Sequence, residues 1–327
     1  MKFGPVAVAQ AKGAILAHSL TVGGARWRKG RVLTGDDIAA LQSVGMPQVI
    51  AARPDADDLP EDTAAAALGA ALHGAEGLAL STAFTGRVNV TATHPGVARI
   101  AADRVLAANR VNPMITVATV PEWHQLDAGD MVATIKVISF AVPAADVAQA
   151  AALLDGALSV ARVKLRDAEL IVTEVPGGAG EKGVPAIKAR LERLGIALSQ
   201  VTVLPHRPEA ISAALVKVQT DLALILTGSA TSDIADVAPA ALAACGGRVE
   251  RFGMPVDPGN LLFLGDLRGK PVIGLPGCAR SPALNGADWV LARVACGVPV
   301  TGDDFAAMAV GGLLKEIPTR PQPRRPR

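Results

Sequence analysis

Short apolar runs and amphipathic segments alternate along the second half of the chain, and this alternation predicts strands and helices in turn. The run Leu222–Leu226 is unbroken, which is typical of a strand covered on both faces. The predicted strands lie at 169–175, 201–204, 222–226, 249–252, 261–264 and 271–273, and the predicted helices at 181–194, 208–219, 236–244 and 281–295. Because the connections are too short for anything but parallel crossovers, this half predicts a three-layer α/β domain around an open, mostly parallel sheet.

The pattern in the first half of the chain is less regular and predicts an α+β domain. Thr34, followed by two aspartates, is typical of a helix start, and Gly45 is typical of that helix's end. We therefore predict an N-terminal α+β domain over residues 1–160, an α/β domain over 161–300 and a C-terminal extension over 301–327. The end of this extension, residues 318–327, is basic and proline-rich, a composition that favours disorder.

Composition narrows the classes of partner. The chain has 327 residues, half of them hydrophobic, so it can bury a large core, and its net charge of +2 does not predict nucleic-acid binding. The sequence has no run of about 18 apolar residues and no signal-peptide pattern, so we expect no membrane partner. Its three cysteines have no metal-binding spacing, and their odd number fits a reducing compartment. We therefore expect a cytoplasmic protein without a resident metal.

A loop of small residues follows the buried strand and is the first candidate binding site. The candidate ligand-binding residues in this loop are Thr227, Gly228, Ser229, Thr231 and Ser232. Small residues leave backbone N–H groups and hydroxyls open to an anion, and the helix that follows adds its positive end. Asp236 stands at that helix start, where a carboxylate is either a cap or a working acid–base group.

A second loop of glycine and proline, Gly274–Gly277, comes directly after the strand at 271–273. Cys278 and Arg280 follow it, before the helix predicted to begin near Ser281. A helix N-terminus and a nearby arginine would lower the pKa of the Cys278 thiol, whereas the alternative is a small residue in a tight loop. Since both loops follow strands, we expect them to share one crevice at the edge of the sheet.

These residues resemble the molybdopterin-binding domain of molybdenum cofactor biosynthesis proteins, and most closely that of the molybdopterin molybdotransferases. The segment Thr227–Thr231 is similar to the family's Ser/Thr-Gly-Gly-x-Ser/Thr loop, and Asp236–Leu242 to its Asp-Val-x-Pro-x-Ala-Leu helix start. Downstream, Pro258-Gly259 and Gly274–Gly277 are similar to the family's Pro-Gly and Gly-Leu-Pro-Gly loops. The resemblance covers roughly residues 168–297.

The resemblance implies a ligand and a set of site residues. The ligand would be molybdopterin or the molybdenum cofactor, with a phosphate, a fused heterocycle and a dithiolene. Asp236 would be catalytic, and the substrate-binding residues would be Thr227, Gly228, Ser229, Thr231, Ser232, Pro258, Gly259, Pro276, Gly277, Cys278, Arg280 and Ser281. The implied reaction is insertion of molybdate into adenylylated molybdopterin, with Mg²⁺ as a further candidate ligand.

The alternative is a carrier without catalytic activity that delivers the cofactor to a molybdoenzyme. This sequence departs from the family where Asp257 and Asn260 flank Pro258-Gly259 in place of the usual lysines, and where Cys278 replaces an asparagine. The missing lysines favour the carrier. For either role we expect a homo-oligomer, with molybdoenzymes or other cofactor-assembly proteins as partners.

Overall fold

The computed structural model describes residues 1–314, which divide into two compact units. Unit 1 contains residues 1–93, 98–122 and 128–160. Unit 2 contains residues 94–97 and 123–127 and the described chain from Ala161 onward. The basic segment 318–327, predicted to be disordered, lies outside the described residues.

The strands and helices are as follows, in chain order. The strands are β1 (Lys2–Ala7), β2 (Ile15–Leu16), β3 (Leu20–Val22), β4 (Ala25–Trp27), β5 (Gln48–Arg53), β6 (Asp58–Pro60), β7 (Leu78–Leu80), β8 (Arg87–Ala92), β9 (Gly96–Ile100), β10 (Ile115–Thr119), β11 (Gln125–Leu126), β12 (Met131–Val137), β13 (Ala141–Pro143), β14 (Leu158–Arg162), β15 (Asp167–Glu174), β16 (Ala197–Pro205), β17 (Leu222–Leu226), β18 (Arg248–Phe252), β19 (Phe263–Leu267) and β20 (Lys270–Leu275). The helices are α1 (Gly35–Ser43), α2 (Glu61–Ala70), α3 (Ala102–Val111), α4 (Ala144–Leu154), α5 (Val184–Arg193), α6 (Pro208–Leu215), α7 (Val237–Ala244), α8 (Gly286–Ala295) and α9 (Gly302–Ala307).

Unit 1 combines small antiparallel sheets with helices, as the α+β prediction requires. Its sheets have the strand orders β1–β5–β2, β10–β12–β8–β7, β13–β6 and β3–β4. The predicted helix start at Thr34 is confirmed, because the Thr34 hydroxyl accepts a hydrogen bond from the Asp37 N–H and the Asp37 carboxylate accepts one from the Thr34 N–H. Gly45 follows α1 with φ +71°, a conformation that a glycine adopts without strain.

Unit 2 contains a sheet with the strand order β16–β15–β17–β20–β19–β18. The neighbours β16, β15, β17 and β20 run parallel, whereas β19 is antiparallel to both β18 and β20. The prediction of a mostly parallel sheet is confirmed, but the expectation that all connections are parallel crossovers is wrong for β19. A two-residue turn, Arg268 at φ +56° and Gly269 at φ +81°, reverses the chain between β19 and β20.

Alternate residues of the central strands point to opposite faces, and helices cover both. One face packs Leu170 and Leu224 against α5 and α8, and the other packs Ile171 and Ile225 against α6 and α7. Leu222–Leu226 is buried at every position, as the unbroken apolar run predicts. The three-layer α/β architecture is therefore confirmed.

Two sequence predictions about the loop after β20 are wrong. Gly274 lies inside β20 opposite Phe263, and a Cβ at position 274 would come within 1.9 Å of the Phe263 ring. The last long helix begins at Gly286 instead of Ser281, because Asn285 and Asp288 form a capping box there. Residues Gly277–Arg280 form a separate 3₁₀ turn.

The chain after α8 packs onto unit 2. Phe305 of α9 is fully buried in the core that also contains α8. Arg293 is buried, forms an ion pair with Asp304 at 2.8 Å and lies over the Trp123 ring at 4.6 Å from its centroid. Within residues 1–314, no helix is long and apolar enough to cross a membrane.

Candidate functional site

The carboxyl ends of the parallel strands in unit 2 form the candidate site. The chain passes from β15 to β16 on one side and then returns to β17 on the other side of β15. The helix after β15 packs on one face of the sheet and the helix after β17 on the opposite face. The connections therefore diverge between β15 and β17 and leave a crevice, which is where ligands bind in open α/β sheets.

Thr173 and Gly228 meet at this crevice. The Gly228 N–H donates to the hydroxyl of Thr173 at 2.8 Å, and Thr173 is fully buried. A Cβ at position 228 would come within 2.6 Å of the Thr173 carbonyl oxygen, so only glycine allows this close approach. The Gly228 N–H of the predicted anion-binding loop is thus already bonded to β15, and an anion would have to be bound by other donors.

Arg280 bridges the two predicted loops. Its Nη2 donates to the carbonyl oxygen of Thr227 at 2.9 Å, and its aliphatic stem lies where a side chain at Gly183 would otherwise be. The Nε of Arg280 is buried and has no hydrogen-bond partner among residues 1–314. No carboxylate in that range forms an ion pair with Arg280, and burial lowers its pKa. The crevice therefore contains a positive charge that is not compensated by the described residues.

A second arginine, Arg190 of α5, holds the loop after β20 from behind. Arg190 is buried and its Nε donates to the Asp288 carboxylate at 2.7 Å. Its other nitrogens donate to the carbonyl oxygens of Ala279 at 2.9 Å and of Ser281 and Ala283 at 2.8 Å each. One planar guanidinium thus fixes the path of the segment that carries Arg280.

Asp236 is the N-cap of α7. Its Oδ1 accepts from the Val237 N–H at 2.7 Å and its Oδ2 from the Ser232 N–H at 2.8 Å. The bond from Ser232, and then that from Val237, lower the pKa of Asp236, so it is ionised at neutral pH. Both carboxylate oxygens therefore serve the local backbone, and the catalytic role that the resemblance implies stays a prediction.

A groove of about 730 Å³ opens beside the crevice, at the carboxyl ends of β15 and β16. Its walls are Glu174–Gly178 with Gly180 on one side and Val203–Arg207 on the other. This volume is in the range of small-molecule sites. His206 lines the groove, and its Nδ1 lies 2.8 Å from the Thr173 hydroxyl. Thr173 thus connects the groove to the crevice.

The other predicted site residues differ in how they are placed. Ser229, Ser232, Gly277 and Cys278 are exposed, Thr231 and Pro276 are buried, and Ser281 is half-buried. The helix predicted to begin next to Cys278 begins at Gly286 instead. The Cys278 Sγ accepts a hydrogen bond from Asn285 Nδ2 at 3.1 Å. The two loops lie side by side because Leu226 of β17 is paired with Leu275 of β20.

Pro258 and Gly259 pack on the start of α8. The Pro258 carbonyl accepts from the Gly286 N–H at 2.8 Å, and a Cβ at position 259 would come within 2.9 Å of Gly286. These contacts give both residues a packing role, and their ligand-binding role stays a prediction. Among residues 1–314, no group of three or more His, Cys, Asp or Glu side chains is arranged to hold a metal ion.

Four residues of this region are absent from the sequence-based site. They are Thr173, Arg190, His206 and Asn285. Thr173 had a usable signal, because it is a polar residue near the end of an apolar strand, and ligands bind at the carboxyl ends of parallel strands. Asn285 had another, since Asn285 and Asp288 have the spacing of a capping box. Arg190 and His206 had none, because their partners are distant in sequence.

Two parts of the chain match known protein families. Residues 167–295 match the family described as "Probable molybdopterin binding domain", and residues 5–53 match one described as a domain of unknown function. No curated protein matches the chain. Residues 167–295 are therefore a domain of the molybdopterin-binding family, as the resemblance of the two loops indicates.

Several solved structures resemble the chain at low identity. The protein CinA from Thermoplasma acidophilum is 16% identical with a TM-score of 0.30, over 36% of this chain and 90% of that one. The molybdopterin biosynthesis MoeA protein from Pyrococcus horikosii is 14% identical with a TM-score of 0.30, over 93% of this chain and 76% of that one. The molybdopterin biosynthesis enzyme MoaB from Thermus thermophilus is 17% identical with a TM-score of 0.28, over 46% of this chain and all of that one.

Proposed function

We propose that this chain, whose residues 167–295 form a domain of the molybdopterin-binding family, binds molybdopterin at the carboxyl edge of its parallel sheet during molybdenum cofactor assembly. The observation that carries the proposal is the uncompensated guanidinium of Arg280 at the switch-point crevice, which has a groove next to it. A phosphate is the part of the ligand that needs such a charge. The groove offers the volume for the fused heterocycle.

Arg280 is the residue whose substitution tests this proposal. Charged hydrogen bonds are worth about 1.5–3 kcal/mol, so Arg280→Met should weaken molybdopterin binding by about 10- to 150-fold. Arg280→Lys keeps the positive charge and should lose less affinity for molybdopterin than Arg280→Met. Arg193→Met, at an exposed position at the end of α5, is the matched control and should bind like the wild type. Equal affinity in Arg280→Met and in the wild type would show that this charge does not hold the phosphate.

The ligand itself can be identified directly. The wild-type chain, purified from a host that makes the cofactor, should carry a pterin detectable by mass spectrometry. Metal analysis of the same sample distinguishes molybdopterin from the molybdenum-loaded form. Recovery of another ligand class, such as a nicotinamide nucleotide, in place of a pterin would refute the proposal.

Within this function, the geometry of Asp236 favours the carrier over the molybdate-inserting enzyme. Both of its oxygens accept N–H groups of the local backbone, and asparagine, also a favoured N-cap residue, keeps one of these two acceptors. Asp236→Asn removes the charge but keeps an acceptor at the cap. If the chain is a carrier, a strain that depends on this variant should mature its molybdoenzymes normally. Loss of maturation with an intact fold would instead assign Asp236 to catalysis.

A further inference from the structure

The contacts of Thr173 fix the arrangement of its single hydroxyl hydrogen. The Thr173 oxygen accepts the N–H of Gly228 at 2.8 Å, so the hydroxyl hydrogen needs an acceptor of its own. The residue is fully buried, which leaves no bulk water for that purpose. His206 Nδ1, at 2.8 Å, is the acceptor that the structure provides.

This chain of hydrogen bonds selects one tautomer of His206. If Nδ1 accepts from Thr173, the neutral imidazole carries its hydrogen on Nε2. The opposite tautomer would place two donors against the Thr173 oxygen and leave a buried hydroxyl hydrogen without a partner. Because Nδ1 faces Thr173, Nε2 is on the side of the ring away from it, and His206 is one of the residues that line the groove.

We propose that His206 is a ligand-recognition residue of the groove, whose Nε2–H donates to an oxygen or ring-nitrogen acceptor of the bound pterin, and that Thr173 is the positioning residue that fixes this tautomer. The inference rests on the proposed function, since it names the donor that would read the ligand. It adds a polar contact that the resemblance did not imply. It also explains why the crevice uses a buried threonine to bond both Gly228 and His206.

The tautomer can be measured without any ligand. In protein labelled with ¹⁵N at histidine, the neutral imidazole of His206 should show an unprotonated Nδ1 and a protonated Nε2. Thr173→Val should remove this preference for the Nε2–H tautomer, whereas Thr173→Ser, which has the hydroxyl, should show the same preference as the wild type. A neutral imidazole with its hydrogen on Nδ1 in the wild type would overturn the positioning role. Thr173→Ser keeps the test valid if Thr173→Val does not fold.

Two substitutions of His206 separate its two ring nitrogens. The amide of His206→Asn can occupy the place of Nδ1 but has nothing at Nε2, whereas His206→Gln can place a donor near Nε2. Molybdopterin binding should weaken about tenfold or more in His206→Asn, as expected for loss of a hydrogen bond that leaves a buried polar ligand atom unpaired, and less in His206→Gln. His124→Asn, at an exposed histidine of the same unit, is the control and should bind like the wild type.

The outcomes distinguish this inference from the proposed function. If the wild type binds molybdopterin and His206→Asn binds it equally well, the role of His206 is wrong and the proposed function stands. If the wild type binds no molybdopterin, the proposed function fails and the ligand role of His206 fails with it. Weaker binding in His206→Asn, together with the Nε2–H tautomer in the wild type, supports the inference.

Discussion

Replacement of Arg190 by methionine should be among the most damaging single changes in unit 2. The guanidinium is 7% exposed, pairs with Asp288 and donates to carbonyl groups of the loop that carries Arg280. Methionine keeps much of the apolar stem but none of the donors. The change therefore tests the polar clamp while preserving the packing of α5.

The loss of stability in Arg190→Met follows from the polar groups that the substitution leaves without a hydrogen-bond partner. Removing one partner of a buried ion pair costs about 3–5 kcal/mol, because the other charge stays buried. Here the Asp288 carboxylate keeps the bond from the Asn285 N–H at 2.8 Å, which limits its own loss. The buried carbonyl of Ala279 adds about 1–3 kcal/mol for a lost partner. Since the bond that Asp288 keeps offsets what the Ala279 carbonyl adds, we expect a loss of about 3–5 kcal/mol, against a typical total stability of about 5–15 kcal/mol.

Equilibrium unfolding in urea measures this loss, provided that the m-value is unchanged. Arg193→Met, three residues further along α5 and exposed, should change the free energy of unfolding by less than about 0.5 kcal/mol. Adding Asp288→Asn to Arg190→Met removes the uncompensated charge and should recover part of the stability. If Arg190→Met costs less than about 1 kcal/mol, the clamp does not stabilise the fold and the reasoning fails.

Two further predictions concern the core of unit 2 and its ion pairs. Gly274→Ala should destabilise the fold by about 1–3 kcal/mol, because the new Cβ would overlap the Phe263 ring. The control, Gly302→Ala, has open space around the new Cβ and should be nearly neutral. Thermal unfolding compares the two variants, and equal melting temperatures would contradict the prediction. Burial raises the pKa of Asp304, but hydrogen bonds, first from Arg293, outweigh burial and lower the pKa from 3.8 to about 2. The carboxylate thus contributes about 2 kcal/mol to the free energy of unfolding above pH 4, and this contribution is lost as the pH falls toward 2. The difference in unfolding free energy between the wild type and Asp304→Asn should therefore narrow over that range. A difference that does not change with pH would contradict the ion pair as the cause.

The sequence was sufficient where local pattern and burial agree. Leu222–Leu226 is a strand with the predicted bounds, and the α7 cap at Asp236 follows from residue type alone. It was insufficient where tertiary packing overrides local signals. Gly274 stands in a segment of glycine and proline that is typical of a loop, yet it is a strand residue. Its lack of a side chain leaves room for the Phe263 ring of the neighbouring strand.

The candidate site shows the same division. The positions of the two loops at the strand ends follow from the alternation of strands and helices, so their proximity could be predicted. The network that joins Thr173, Gly228 and His206 brings together residues up to 55 positions apart. Such contacts depend on strand order, which the hydrophobic pattern does not specify.

The position of β16 at the margin of the sheet has a consequence for the groove. One wall of the groove belongs to β15, which has a hydrogen-bonded strand on each side, while the other belongs to β16, which has a neighbour on one side only. A shift of the outer wall would disturb only the pairing of β16 with β15, whereas a shift of the inner wall would also disturb the pairing of β15 with β17. Ligands of different bulk would therefore be accommodated on the β16 side of the groove, while β15, which carries Thr173, keeps both of its neighbours.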